Sequence, residues 1–267
     1  MNTFLLKQFF APIESVLPGE KMADCDELKN VTLFLDKIND FLPQNSYIID
    51  DYQRNFMFIS KRSIFLCGYT EEEAMKMGYD FYNKILTPEN LKKLIEINDV
   101  VSEFFSNIPI EKKIHFSVTY DLVFQKRDGS SFCVNQKLKP FLFTKENNIW
   151  LSICCVRPSS NDKVGNVKCF FKETNESFSY SFEDKKWYEQ PPFILSEVER
   201  FIIIETDNGT LEKQLAYQLK CTRSNIRYYK NMILKKTETK TIREAIHFLR
   251  WYYPEVWVDA EVSESFF

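Results

Sequence analysis

Residues Leu211 to Lys236 read LEKQLAYQLKCTRSNIRYYKNMILKK. From Lys213 to Thr237 the chain holds no carboxylate, while Lys213, Lys220, Arg223, Arg227, Lys230, Lys235 and Lys236 all fall within that window. The 267-residue chain as a whole is slightly acidic, with a formal net charge of -3. Between Pro191 and Pro254 eleven Lys and Arg face seven Asp and Glu, a net of +4; the remainder carries 24 and 31, a net of -7. An asymmetry of this kind points to a polyanionic partner for one region.

The residues around the cationic stretch predict helices. Ser196-x-x-Glu199 forms a capping box before an apolar run, and Gly209 is placed to end that helix. Thr210 starts a second, short helix with Leu211, Leu215, Ala216 and Leu219 facing inward. CTRSN is a turn, NIRYYKNMILKK a third helix, and TIREAIHFLRWYY a fourth, with Thr241-x-x-Glu244 as another capping box. Four short helices with the third dense in cations define a helix-turn-helix module. At about 100° per residue, Ile226, Tyr229 and Ile233 share one side of the third helix. Ser224, Arg227, Tyr228, Asn231 and Lys235 share the other. Arg pairs two acceptors on guanine, Asn pairs adenine and Lys neutralises phosphate. Lys213 and the start of the third helix near Thr222 suit phosphate positioning. The candidate DNA contacts are therefore Lys213, Thr222, Arg223, Ser224, Arg227, Tyr228, Lys230, Asn231 and Lys235.

These residues resemble the LuxR-type helix-turn-helix from Leu195 to Ile246. LSEVE stands for that family's L-T-x-x-E; Gly209 and Lys213-Gln214-Leu215-Ala216 stand for its Gly and K-E-I-A. Glu244-Ala245-Ile246 stand for its closing E-A-V. Asn225, Tyr229 and Met232 depart from the family's Thr, His and Asn, and Thr237-Glu238 stands for Leu-Gly, which leaves the exit of the third helix open. The resemblance implies double-stranded promoter DNA as partner and a homodimer as the binding form.

Further towards the N-terminus the periodicity changes. YIID and NFMFIS are short strand candidates, Thr70 caps the acidic turn Glu71–Glu73, and Pro88 opens a long amphipathic helix. Three strands follow: HFSVTYDLVFQK, SFCVNQKLKPFLF and NIWLSICCVRP, the first two joined at Asp128-Gly129. This order resembles a PAS domain over Asn45 to Arg157. Such domains sense small molecules, hold cofactors or pair subunits. Leu28, Val31, Leu35, Ile38 and Leu42 predict a helix over Asp24 to Phe41 that pairs subunits or caps the sheet domain.

The expected architecture is thus an α+β PAS-like antiparallel sheet domain followed by an all-α four-helix LuxR-type helix-turn-helix domain. Its parts are a helical extension (1–45), the PAS-like domain (46–158), a linker with a small hairpin (159–192), the helix-turn-helix domain (193–254) and a tail (255–267).

Other chemistries find little support. Seven scattered Cys lack a C-x-x-C pair and have only two His beside them, which argues against zinc and against a disulfide framework. His115, at a strand start, is a poor haem ligand, and Cys67 lacks the Asn-Cys-Arg context of a flavin photosensor, so no cofactor is expected. None of the phosphate-loop, dinucleotide, metalloprotease or nucleophile-elbow motifs occurs, and no enzyme is expected. Asp50-Asp51 reads as a strand end. With no secretory signal and no membrane-length apolar run, a soluble, cytoplasmic protein is expected, with no membrane partner. The aromatic wealth either lines a small-molecule pocket or packs a core. The function expected is a one-component bacterial transcription regulator. A protein-interaction adaptor that uses both domains for docking is the alternative.

Overall fold

The computed structural model describes residues 45–144, 148–159 and 164–257. The expected helix over Asp24 to Phe41 lies outside them. The chain divides into two compact units, Met1–Pro191 and Pro192–Phe267.

The first unit begins with a hairpin, β1 (Ser46–Asp50) and β2 (Asn55–Ile59). Helices α1 (Glu71–Met77), α2 (Tyr82–Ile85), α3 (Pro88–Ser106) and α4 (Ile110–Lys113) follow. The expected caps are present. The Thr70 hydroxyl accepts from Glu73 N, the Glu73 carboxylate accepts from Thr70 N at 2.8 Å, and Pro88 opens α3 after Thr87. Strands β3 (Phe116–Gln125), β4 (Ser131–Phe143) and β5 (Ile149–Pro158) form the meander, turning at Gly129 with φ +86°. β5 then pairs antiparallel with β1, Tyr47 opposite Cys154. The resulting order β2-β1-β5-β4-β3 is the PAS-like sheet.

The segment expected to be a linker with a small hairpin differs. Its described residues hold three strands, β6 (Gly165–Phe171), β7 (Glu176–Ser181) and β8 (Lys186–Gln190). β6 pairs along β3, so one eight-stranded sheet results. A turn at Thr174-Asn175 joins β6 to β7, with Asn175 at φ 55°. The second turn, around Asp184-Lys185, has neither Gly nor Pro to mark it; Lys185 itself takes φ 53°.

Aromatic rings fill the space beneath this sheet. Phe65 stacks on Tyr47 at 3.9 Å and meets Phe56, Phe81, Tyr82 and Phe124 edge-on. These rings are buried, and such pairs add about 0.5–1.5 kcal/mol each beyond their buried area. A smaller cluster of Ile48 and Phe58 forms separately, with Met57 and Ile153 packed against it.

The second unit is all-helical: α5 (Glu197–Asp207), α6 (Glu212–Gln218), α7 (Arg223–Thr237) and α8 (Ile242–Tyr252). Ile202, Ile203, Leu215, Ile226, Ile233, Ala245 and Leu249 form its core. α7 packs on the other three helices. Helices α5, α6 and α7 close alike. In each, the residue after a left-handed position returns its N–H to a carbonyl five residues back: Thr210 to Glu205, Cys221 to Ala216, Thr239 to Leu234. The left-handed residues are Gly209, Lys220 and Glu238. The exit of α7 thus keeps the geometry that the missing Gly would have supplied.

Two local expectations are corrected. The second helix starts at Glu212, with Leu211 as its cap and 67% exposed rather than inward. The Thr210 hydroxyl donates instead to the Glu205 carboxylate at 2.8 Å. At α8 the Thr241 hydroxyl accepts from Glu244 N, but the Glu244 carboxylate accepts from Lys240 N, one residue before the box expects.

Candidate nucleic-acid interface

Three core contacts orient α7. Ile226 and Ile233 are fully buried, and Tyr229 is half-buried. The opposite side presents Ser224, Arg227, Tyr228, Asn231 and Lys235, all exposed. A helix about 10–12 Å across with its side chains matches a major groove about 12 Å wide. Thr222 caps α7, its hydroxyl accepting from Asn225 N at 3.2 Å and also bonding the Asn225 side chain. Arg223 and Lys213 are exposed.

The seven cations of the opening stretch separate into two kinds. Lys236 belongs to the frame: its ammonium donates to the Glu199 carboxylate at 2.6 Å and to the Ile194 carbonyl at 3.1 Å. Glu199 is buried and also closes the capping box with Ser196. Burial opposes its charge, but Lys236 and the Ser196 bonds outweigh that and hold its carboxyl below the ordinary value. Arg227 and Lys230 share Glu212. Arg227 Nε donates to Oε2 at 3.2 Å, and Lys230 Nζ to Oε1 at 3.3 Å. Lys230, one of the candidate DNA contacts, is only 15% exposed, whereas Arg227 on the stripe remains 68% exposed. Among the described residues, Lys213, Lys220, Arg223 and Lys235 hold no ion pair.

Three residues were not among the candidate DNA contacts. Glu212 lies one position before the carboxylate-free window and reaches α7 through space. Tyr217 is 85% exposed and, four residues after Lys213, shares its side of α6. Lys220 sits exposed in the turn between the two helices. The spacing of Lys213 and Tyr217 is one that helical arithmetic on α6 could have found, whereas Lys220 lies past the end of that helix at φ 48°.

In the sheet domain, His115 pairs with Glu173 at 2.9 Å, a surface contact. The Asp50 carboxylate accepts from Tyr52 N and Gln53 N, closing the β1–β2 turn. A polar seam crosses the aromatic interior. Gln136 Nε2 donates to the Tyr47 hydroxyl at 2.6 Å, and that hydroxyl lies 3.2 Å from the Tyr82 hydroxyl. Burial raises the pKa of Tyr47, Tyr82 and Tyr120 well above the ordinary tyrosine value, so all three stay neutral. Gln136 Oε1 is buried with no partner among the described residues. A groove of about 490 Å³ lies elsewhere, between α3 and the β6–β8 extension, lined by Phe104, Ile108, Phe178, Trp187, Lys112 and Lys185.

Strand order and helix contacts thus define the class: a PAS-like sheet domain and a helix-turn-helix unit. No family model matches the sequence, and no curated protein matches it. Solved structures do. The VqmA dimer of Vibrio cholerae, described among LuxR-type receptors, is similar at 12% identity, with 83% of this chain and 86% of that chain covered and a TM-score of 0.31. The light-state LOV domain of the blue-light photoreceptor Aureochrome1 is similar at 18% identity, over 48% of this chain and 91% of that one, with a TM-score of 0.34. The PAS domain of an HTR-like protein from Haloarcula marismortui is similar at 15% identity, over 50% and 95%, with a TM-score of 0.32. Likenesses this low bear no weight of their own; the fold stands on the chain's own geometry. Among the described residues no helix is long and apolar enough to cross a membrane.

Proposed function

We propose that the protein is a one-component transcription regulator of bacterial type, which binds promoter DNA as a homodimer through α7 and is modulated by its PAS-like domain. One observation carries this reading. The helix whose apolar side is locked into the second core turns Ser224, Arg227, Tyr228, Asn231 and Lys235 outward as one exposed stripe. Lys213 and Tyr217 on α6 and Lys220 in the turn after it suit the phosphate backbone, as the first helix of such a pair crosses it. Arg227, Asn231 and Tyr228 are the base-facing candidates; Arg223, Lys235 and the capped start of α7 at Thr222 are the backbone-facing ones. The reading assigns no catalytic role and places the protein in the cytoplasm with its DNA.

Charge reversal tests it. Arg227→Glu and Lys235→Glu each lower DNA affinity by roughly tenfold or more. Lys235 is exposed and holds no ion pair among the described residues, so Lys235→Glu leaves the melting temperature within about a degree or two of wild type; Arg227→Glu also loses the bond to Glu212 and lowers it further. A second reading, a protein-interaction adaptor, draws on Ile194 and Leu211, which are 66% and 67% exposed. It requires that the protein bind no specific DNA, and that function survive both reversals and be lost in Leu211→Ser.

A further inference from the structure

Glu212 is the first residue of α6, and its carboxylate spans to α7 between two of its cations, Arg227 and Lys230. The two cations are held differently. Lys230, 15% exposed, is packed between the helices and pins one carboxylate oxygen; Arg227, 68% exposed, projects past the other. Burial opposes the Glu212 charge, yet the bonds from Arg227 and Lys230 outweigh it, so the carboxyl lies below its ordinary value and is ionised at neutral pH.

Two consequences follow from that geometry. The first concerns charge. One carboxylate between two cations leaves this part of α7 with a local +1 in place of +2, which weakens its attraction for any phosphate. The second concerns orientation. Arg227 meets Glu212 through Nε. Its two terminal nitrogens, with four N–H groups, hold no hydrogen bond among the described residues, so the end-on edge is left open. That end-on edge is able to pair O6 and N7 of guanine together. A free arginine would instead swing to the nearest phosphate, which carries no sequence information.

We infer that Glu212 is a specificity-determining positioning residue, which holds Arg227 for end-on reading of a guanine and withholds it from the phosphate backbone. The inference rests on the DNA-binding reading above. It goes further in assigning a role to an acidic residue inside a cationic surface, where simple electrostatics would count it as a defect.

The experiment selects DNA from a pool of duplexes with a randomised centre, using the full chain as wild type, Glu212→Gln and Lys230→Gln, at low and at physiological salt. Glu212→Gln keeps the side-chain length and removes the charge. It is expected to bind unselected duplexes several-fold more tightly, with a salt slope steeper by about one phosphate contact. Its preference for guanine at one position falls roughly tenfold. Lys230→Gln loosens the pin without touching Arg227 or Glu212, and its guanine preference falls too. Thermal melting of each variant establishes that it is folded. If both variants keep the wild-type salt slope and base preferences, Glu212 is only a packing contact between α6 and α7 and the inference is overturned while DNA binding stands. If the wild type itself enriches no sequence and shows no salt-dependent binding, the DNA reading falls and takes this inference with it.

Discussion

Glu238 ends α7 in the left-handed region, at φ 53° and ψ 37°, where a Cβ crowds the following carbonyl. Its carboxylate also sits at the negative end of the helix. Glu238→Gly should therefore stabilise the helical unit by about 1 kcal/mol, read as a higher urea midpoint at unchanged slope. A lower midpoint would mean that the side chain makes a compensating contact. Asp51 offers a second test at this scale. The residue as a whole is half-covered, but its carboxylate lies inside, accepting from the Ser152 hydroxyl at 2.9 Å. Burial raises its pKa from an ordinary 3.8 to about 7. Between those values the native state holds a proton that the unfolded chain has released, so stability falls as pH rises from about 4 to about 7. Asp51→Asn should flatten that part of the melting-temperature profile; an unchanged slope would assign the pH dependence to other groups.

The β6–β8 extension decides how the sheet domain ends. Without it the long strand β3 would expose an edge. Trp187 on β8 ties the extension to α3, its ring 4.5 Å from that of Phe104. Gly165, at φ +108°, leaves room for the Phe182 ring, where an added Cβ would come within 3.1 Å. Trp187→Ala should cost about 2–3 kcal/mol, less than for a fully buried ring. A fragment stopped at Pro158 should aggregate while one carried through Gln190 stays soluble, as gel filtration would report. Soluble behaviour of the shorter fragment would make the extension an appendage. The sequence made the local elements legible: alternation for strands, three-four spacing for helices, and Ser196, Thr70 and Asp128-Gly129 as caps and turn. It did not make the β1–β5 and β3–β6 pairings legible, because register between distant strands is chosen by the partner edge and its packing. The third added strand was missed for a local reason as well. The turn around Lys185 puts lysine in a conformation usually given to glycine. At the candidate interface, the outward stripe of α7 was readable from 100° steps. The roles of Glu212, Lys230 and Lys236 were not, since a through-space ion pair leaves no trace in the spacing.

The chain combines an acidic majority with one basic stretch, Pro191 to Pro254, and each of its two units has its own hydrophobic core. Net acidity discourages indiscriminate binding to polyanions, while the exposed cations of α6 and α7 concentrate attraction on one surface. The central claim is that this surface meets DNA. The measurement that tests it most directly is the affinity of the full-length protein for DNA upstream of its own gene, across a salt series, beside a randomised duplex of equal length. Lys213, Lys220, Arg223 and Lys235, which hold no ion pair among the described residues, predict a slope of log affinity against log salt near -4 per chain, to order of magnitude. Affinity for the upstream DNA should exceed that for the randomised duplex by roughly a thousandfold. Weak binding that neither falls with salt nor distinguishes the two duplexes would contradict the claim and turn attention to Ile194 and Leu211 as a protein-docking surface.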